Sequence, residues 1–399
     1  MKSVKFVSLL LCFLMFSCKA NNEKNTVKEK DIETIVEAKG DFNIKVFSEA
    51  LVVYDPNNIP NGYNEASENG IIRLANGRVI LKKVELPKYE REVKLKLKVS
   101  LVSIGDPYDR AGSIFIIPNS KKGISPIDIA KGSSYPNMEG ELSKYPGIIN
   151  IKEYEPCVEL MRFMTPFGVG YYSGRPAPPN VGKWERDVKW NCDISHLYSL
   201  MEESFYLGVW IDTWKSGFAI DIVIDAVESK ENKKRQRYNV LPLINTCPYV
   251  GQKYPDVFAF MPEGISIASG LKEKSIKNAT LYYTTTGHGP RFDGDEFTKK
   301  ENVIALGDKT LKEWQPWIDS CASYRKWNPS SGFVQEGIPS SDLARSNWCP
   351  GSKVEPISIP LSIDDIKTHN NFKFTIKDAS KIEGNFLNFW LVSSYIVYN

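Results

Sequence analysis

From residue 93 to residue 101 the chain alternates strictly: Val93, Leu95, Leu97, Val99 and Leu101 are apolar, and Lys94, Lys96, Lys98 and Ser100 between them are polar. A period of two puts the apolar set on one face of an extended strand and the lysines on the other. Residues 218–224, 281–286, 372–376 and 389–398 read as further strands, rich in β-branched and aromatic side chains and bounded by Gly, Asn, Pro or Ser. The only helix-like stretch is residues 195–204, and it is short. Many short strands joined by loops of very uneven length predict an all-β protein of antiparallel Greek-key sandwiches rather than an up-and-down barrel. The charge run Glu228-Ser229-Lys230-Glu231-Asn232-Lys233-Lys234-Arg235 divides the strands into two blocks and reads as a solvated linker. Residues 41–229 and 236–399 are accordingly expected to form two domains, with the loops 121–145 and 171–179 as insertions.

The first 40 residues break the pattern. Lys2 and Lys5 accompany an almost wholly apolar run over residues 4–16, too short to span a bilayer, and Ser17-Cys18 follows. Residues 1–17 therefore read as a signal peptide. A cysteine directly after such a run resembles a bacterial lipoprotein signal, in which Cys18 is lipidated and anchors the chain to a membrane; an ordinary cleaved secretory signal is the alternative. Both place the mature protein outside the cytoplasm. Residues 18–40 are polar and mixed in charge, with little to bury, and are expected to be a flexible tether.

A length of 399 residues suffices for two cores, and a net charge of +3 gives no reason to expect nucleic acid as a partner. His196, His288 and His369 are scattered without ligand spacing, so neither a metal nor another cofactor is expected. Beyond the signal stand Cys157, Cys192, Cys247, Cys321 and Cys349. An oxidising compartment permits disulfides, and an odd number leaves a cysteine over, expected to be Cys247. Cys157 and Cys192 flank residues 162–166 and are a candidate bridge.

Four polar clusters lie at the ends of strand-like runs. They are Asp106-Pro107-Tyr108-Asp109-Arg110, Trp210-Ile211-Asp212-Thr213-Trp214, the loop 287–296 ending in Glu296, and Arg345-Ser346-Asn347-Trp348-Cys349. In the second, alternation assigns Leu207, Val209 and Ile211 to one face and Trp210, Asp212 and Trp214 to the other. Carboxylates beside tryptophans suit a sugar conjugate: indoles cover the apolar C–H face of a sugar, while carboxylates bind hydroxyls and move protons. Taken singly, each cluster is equally a turn or a packed aromatic.

In order along the chain the clusters resemble one family. Asp106-x-x-Asp109-Arg110, Arg162-Phe163-Met164-Thr165-Pro166, Thr284-Thr285-Thr286-Gly287-His288-Gly289, Asp295-Glu296-Phe297 and Arg345-x-x-Trp348-Cys349-Pro350-Gly351 are similar to peptide:N-glycosidase F, a bacterial amidase that cuts N-glycans from asparagine. The resemblance runs over residues 41–399. It implies two eight-stranded antiparallel jelly rolls side by side, an active site in the cleft between them, and N-glycosylated proteins or glycopeptides as partners. It further implies that Asp109 is the essential aspartate, Glu296 the second catalytic carboxylate, Asp212 a third carboxylate and Arg345 the partner of Asp109. Asp106, Arg110, Trp214 and Trp348 then belong to the chitobiose site, as does His288, which stands where the family enzyme has a tryptophan. A Cys321–Cys349 disulfide is also implied.

The sequence departs from the family pattern in three ways. Asp212 is one methylene shorter than the family glutamate, His288 is not a tryptophan, and other family cysteines are replaced around Gly105 and by Asp295 and Thr298. A non-catalytic glycan-binding surface lipoprotein of the same fold is therefore an open alternative. So is a glycoside hydrolase cutting within the chitobiose, which also needs two carboxylates. A copper monooxygenase on paired jelly rolls is disfavoured by the few histidines.

Overall fold

A computed structural model describes residues 38–399 apart from 65, 66, 68, 119–122, 253–255, 290–292, 333–336 and 382–386. The expected signal peptide, the lipidation site at Cys18 and all but the end of the tether lie outside the described residues. The fold is all-β, and its sheets are antiparallel and sandwich-like. In the first half a four-stranded sheet runs in the order Phe42–Val52, Phe218–Glu228, Val93–Ser103, Val188–Asp193. It faces a sheet ordered Val158–Met164, Ala111–Ile117, Phe205–Ile211, Val79–Val84, Ile71–Leu74. Among the described residues this half thus has nine strands of its own, where eight were expected. The second half has eight: Asn239–Asn245, Phe389–Tyr398, Ala279–His288 and Ile357–Pro360 in one sheet, and Ile265–Ala268, Asn371–Ile376, Asn302–Leu306 and Lys309–Trp314 in the other.

Each sandwich is filled from its inner faces. The alternating strand Val93–Ser103 sends Leu95, Leu97, Val99 and Leu101 against Ile114, Ile116, Leu207 and Val209, and its lysines stay in solvent. Leu281, Tyr283, Val392 and Ile396 meet Ile304, Phe372, Phe374 and Ile376 in the second half. A third apolar cluster joins the halves: Leu81, Phe115 and Trp210 pack with Cys247, Tyr249, Trp348, Phe389 and Leu391. Phe115 and Tyr249 stack there with centroids 3.8 Å apart. The middle strands Ala111–Ile117, Val158–Met164 and Phe205–Ile211 are consequently buried on almost every side chain, with no alternation to betray them. Trp210, expected beside Asp212 at a site, belongs to this seam, because its face of the sheet meets the other half of the molecule.

Two further contacts bind the halves. The short strand Lys353–Val354, from the second half, adds itself to the edge of the first half's sheet, pairing with Phe163 and Arg162. Beneath it lies a buried ion pair: Arg162 Nε and Nη2 donate to Glu159 Oε1 at 2.6 Å and Oε2 at 2.8 Å. Arg162 also crosses the seam, donating to Thr286 Oγ1 at 2.9 Å, the Leu391 carbonyl at 3.0 Å and Cys247 Sγ at 3.2 Å. Ser113 and Ser393 donate to Glu159 in turn, so the pair is closed by neighbours from both halves.

Several expectations are corrected. The run 228–235 is solvated only in its middle. Glu228 is buried and accepts the Lys39 and Gly40 amides at 2.7 Å each, so the tether's end is pinned. Arg235 is buried too, donating to the Tyr89 carbonyl at 2.8 Å and pairing with Glu202. The helix-like stretch contributes only a 3₁₀ turn, Ser195–Leu200, because its apolar positions serve the sandwich core rather than a helical stripe. The short helices Pro126–Ala130, Val257–Phe260 and Ile363–Thr368 were not anticipated.

Cys321 and Cys349 are bonded, and Cys157, Cys192 and Cys247 are free. The candidate Cys157–Cys192 bridge is absent because the two thiols lie in different places: Cys157, just before the strand Val158–Met164, faces the seam, while the Cys192 thiol, on Val188–Asp193, lies near the Leu160 carbonyl. Closing the loop from Cys321 to Cys349 restricts the unfolded chain by roughly 3–4 kcal/mol in the loop-entropy account. Peptide mapping without reductant should show one cross-linked pair, Cys321 with Cys349, and alkylation of the buried Cys157 and Cys247 only after unfolding. Free thiols at Cys321 and Cys349 would refute the assignment.

Candidate functional site

The loop 104–110 leaves the strand Val93–Ser103 and turns into Ala111–Ile117. Its pivot is Asp106, fully buried, which accepts from the Tyr108 amide at 3.0 Å, Thr213 Oγ1 at 2.7 Å and Arg110 Nε at 3.0 Å. Asp106 therefore does not line the cleft as expected. It sets the direction of Arg110, whose guanidinium lies 5.0 Å from the Tyr108 ring, and fixes the loop that carries Asp109.

From the second half, the end of the strand Ala279–His288 leads to Glu296. Hydrogen bonds hold that loop. Asp295 is buried and accepts from Trp390 Nε1 at 2.9 Å and the Ser380 amide at 3.0 Å. Ser346 Oγ donates to the Asp295 and Thr298 carbonyls at 2.6 and 3.1 Å.

Arg345 joins the two loops. Its Nη2 is 3.3 Å from Asp109 Oδ2, and its Nε is 3.0 Å from Glu296 Oε1. The remaining donors go to the Ser340 carbonyl at 2.7 Å, Ser340 Oγ at 3.3 Å and the Leu343 carbonyl at 3.4 Å. Trp348 covers the guanidinium at 4.7 Å and Phe297 lies at 5.0 Å. Arg345 itself is 1% exposed, while the Asp109 and Glu296 carboxylates keep 16% and 14% of their surface. The cation is structural backing, and the two acids face outward.

They face a cleft of about 380 Å³, lined by Tyr108, Asp109, Arg110, Asp212, Trp214 and Glu296 among others. This volume falls in the ordinary range for ligand sites. His288 and Trp348 form its floor. The His288 ring stacks between Phe389 at 4.9 Å and Trp348 at 5.5 Å, and its Nε2 shares a 2.8 Å hydrogen bond with Thr286 Oγ1. Burial, together with the Arg162 and Arg345 cations, holds His288 far below the usual imidazole range, so it is neutral. Trp348 Nε1 donates to the Gly287 carbonyl at 2.9 Å, locking the indole in place. Trp214, by contrast, is 44% exposed at the mouth and donates to Asp212 Oδ1 at 3.1 Å.

The electrostatics follow from two acids and one shared cation in a partly dry site. Burial pushes the Asp109 carboxyl up, and Arg345 and Arg110 oppose this without cancelling it. Glu296 is raised to about 7, by burial first and then by the neighbouring Asp109 charge, with Arg345 pulling the other way. The two acids interact through Arg345 and titrate as a pair rather than independently. Among the described residues no group of three or more His, Cys, Asp or Glu could hold a metal ion. The arrangement offers two acids and positioned cations for proton transfer at a polar substrate.

Of the residues singled out from sequence, Asp109, Glu296, Asp212, Arg110, Trp214, His288 and Trp348 line one cleft. Arg345 stands behind it, and Asp106 stands behind Arg110. Sequence reading missed Arg78, whose Nη1 is 3.7 Å from Asp212 Oδ1, and Tyr54, whose ring lies 5.1 Å from that of Trp214. The turn signal Asn76-Gly77 just before Arg78 was the clue.

Replacing Arg345 removes the one cation both acids share, so their proton affinities rise. Arg345→Ala should lower turnover and move the acidic limb of the pH–rate profile to higher pH. Arg345→Lys, which keeps the charge, should move it less. An unchanged limb in both variants would break the link between Arg345 and the acids.

The family models "Peptide-N-glycosidase F, N terminal" and "Peptide-N-glycosidase F, C terminal" match residues 43–226 and 253–397. The crystal structure of PNGF-II in the P21 space group is similar at 33% identity and TM-score 0.78, over 90% of this chain. This chain spans 65% of that one. The structure of PNGase F, a glycosylasparaginase from Flavobacterium meningosepticum, matches at 16% identity and TM-score 0.52, over 90% of this chain and 95% of that one. A structure of peptide-N(4)-(N-acetyl-beta-D-glucosaminyl) asparagine amidase matches at 16% identity and TM-score 0.54, over 90% and 96%. No curated protein sequence matches the chain.

Proposed function

Since the chain belongs to the peptide-N-glycosidase F family, we propose that it hydrolyses the amide between asparagine and the innermost N-acetylglucosamine of N-linked glycans. The observation that carries this reading is Arg345 holding Asp109 of one half and Glu296 of the other at a single cleft. In the proposed reaction Glu296 orients and deprotonates a water, whose oxygen attacks the side-chain carbonyl carbon. Asp109, protonated at the start of the step, then delivers its proton to the amide nitrogen as the C–N bond breaks, and the proton taken up by Glu296 returns to Asp109 through solvent before the next turnover. The products are aspartate and a glycosylamine. A Glu296 carboxyl poised near 7 is suited to accept a proton at neutral pH.

General acid–base chemistry of this kind supplies about 10²–10⁴-fold. Holding the sugar and the amide in register can add the equivalent of roughly 7–11 kcal/mol. The exposed Trp214, the fixed Trp348 and the Arg110 guanidinium are the groups proposed to do so, with the chitobiose core as the recognised unit. The neutral, buried His288 contributes a flat, uncharged floor to the same surface. Residence outside the cytoplasm, expected from residues 1–18, fits a glycoprotein substrate.

A mass assay on an N-glycopeptide tests the reading. Conversion of the glycan-bearing asparagine to aspartate, with the whole glycan released, is the expected result. Release that leaves one N-acetylglucosamine on asparagine would instead identify a glycoside hydrolase, and unchanged peptide bound tightly would identify a lectin-like protein.

A further inference from the structure

The turn Ala75–Gly77 has three successive residues of positive φ: Ala75 at 51°, Asn76 at 56° and Gly77 at 91°. Glycine suits such a position and asparagine tolerates it, but alanine adopts it only under constraint. A Cβ on Gly77 would fall 2.8 Å from both the Val53 carbonyl and the Ile59 side chain, so the turn is wedged as well as bent. One backbone and one side-chain hydrogen bond hold it: the Ala75 amide donates to the Asn61 carbonyl at 2.8 Å, and Asn76 Nδ2 donates to the Ile59 carbonyl at 3.0 Å. What leaves this turn is Arg78.

Arg78 is aimed at the mouth of the cleft. Its Nε donates to the Ala75 carbonyl at 3.2 Å, which fixes the start of the guanidinium plane. That plane lies 4.3 Å from the Trp214 ring and 5.3 Å from the Tyr54 ring, while Nη1 sits 3.7 Å from Asp212 Oδ1. Trp214 Nε1 donates to the same oxygen. Arg78, Asp212 and Trp214 thus form a closed triangle, buttressed by Tyr54. Without the arginine, an indole 44% exposed on a loop would keep only the Asp212 hydrogen bond and the Tyr54 ring to hold it.

We propose that Arg78 is a positioning residue for glycan recognition, presetting the Trp214 indole and the Asp212 carboxylate as one rigid wall of the cleft. This deepens the amidase reading and rests on it for the nature of the ligand. The wall takes the neutral N-acetylhexosamine end of the glycan. The indole lies along its C–H face, and the carboxylate accepts from its hydroxyl or amide donors. Asp212, short by one methylene, is held in place from the far side by Arg78, and ordering the wall before the ligand arrives lowers the cost of binding.

The test separates this role from turnover. Affinity for a chitobiose-bearing glycopeptide is measured by calorimetry in an Asp109→Asn background, and KM and kcat are measured in the otherwise intact chain. Arg78→Ala should weaken binding about tenfold, with most of the loss of kcat/KM appearing in KM. Arg78→Lys should recover part of it. Adding Trp214→Ala to Arg78→Ala should cost less than Trp214→Ala does in the parent chain, because the indole has already lost its cation. Should Arg78→Ala only lower the melting temperature, with affinity unchanged and the two losses simply additive, the proposal fails. If the glycopeptide is bound but not cut, and Arg78→Ala still weakens binding, the amidase reading fails and the role of Arg78 stands. No binding by any variant overturns both.

Discussion

Asp109→Asn should reduce release of glycans from a denatured N-glycoprotein by roughly 10²–10⁴-fold, below detection in an end-point assay. The substitution keeps the side chain's shape and its neighbours Arg345 and Arg110 but removes the group able to carry a proton to the departing nitrogen. Circular dichroism and melting should show an intact fold, so the loss is chemical. Near-normal release by the folded variant would reject the role of Asp109.

Glu296→Gln carries a companion stability expectation. A carboxyl whose proton affinity is higher in the fold stabilises fully below its unfolded value of 4.5, and that stabilisation is lost as pH rises through about 7. Relative to the parent protein, the melting temperature of Glu296→Gln should therefore improve steadily between these limits. A difference independent of pH would show that burial does not raise the Glu296 carboxyl.

Arg162→Ala should destabilise the folded chain by about 3–5 kcal/mol, enough to consume much of the roughly 5–15 kcal/mol typical of a domain. The guanidinium and Glu159 are both buried, and removing one strands the other without solvent. The loss also reaches the cleft floor, since Thr286 accepts from Arg162 and shares a hydrogen bond with His288. Denaturant titration at fixed pH measures the effect. Should Arg162→Ala fail to fold, the double variant Arg162→Met with Glu159→Leu keeps the idea testable. Replacing both charges by apolar groups of similar volume avoids the stranded carboxylate, so the pair should be more stable than either single variant. Equal or greater destabilisation in the double variant would show that the ion pair itself, rather than the penalty of breaking it, holds the seam.

Legibility in the sequence followed solvent. The strand Val93–Ser103 has one wet face, so its lysines mark every second position, and burial alternates as the pattern predicts. Ala111–Ile117 and Val158–Met164 are dry on both faces and carry no such mark. For the same reason Trp210 was placed on the wrong side of the question: alternation shows which side chains share a face, but not what covers that face. The pairing of Asp109 with Glu296 through Arg345 had no local signature, because the residues come from three loops, and only the order of motifs suggested it. The capping box at Ser125 and Asp128, with Pro126 in the first turn, was a readable helix start inside a loop taken as an insertion. The linker run misled because its charges were read as a block, whereas Glu228 and Arg235 at its ends each have a specific buried partner.

The visiting strand Lys353–Val354 bears on how such a molecule is made. A chain emerging from the ribosome or an export channel presents its first half early, yet the border of that half at Phe163 stays uncovered until synthesis is almost complete. Its open amides and carbonyls are a template on which other nascent copies could pair. A protein severed at residues 229–235 should therefore yield an amino-terminal product that clumps, and mixing it with the carboxy-terminal product during refolding should keep it dispersed.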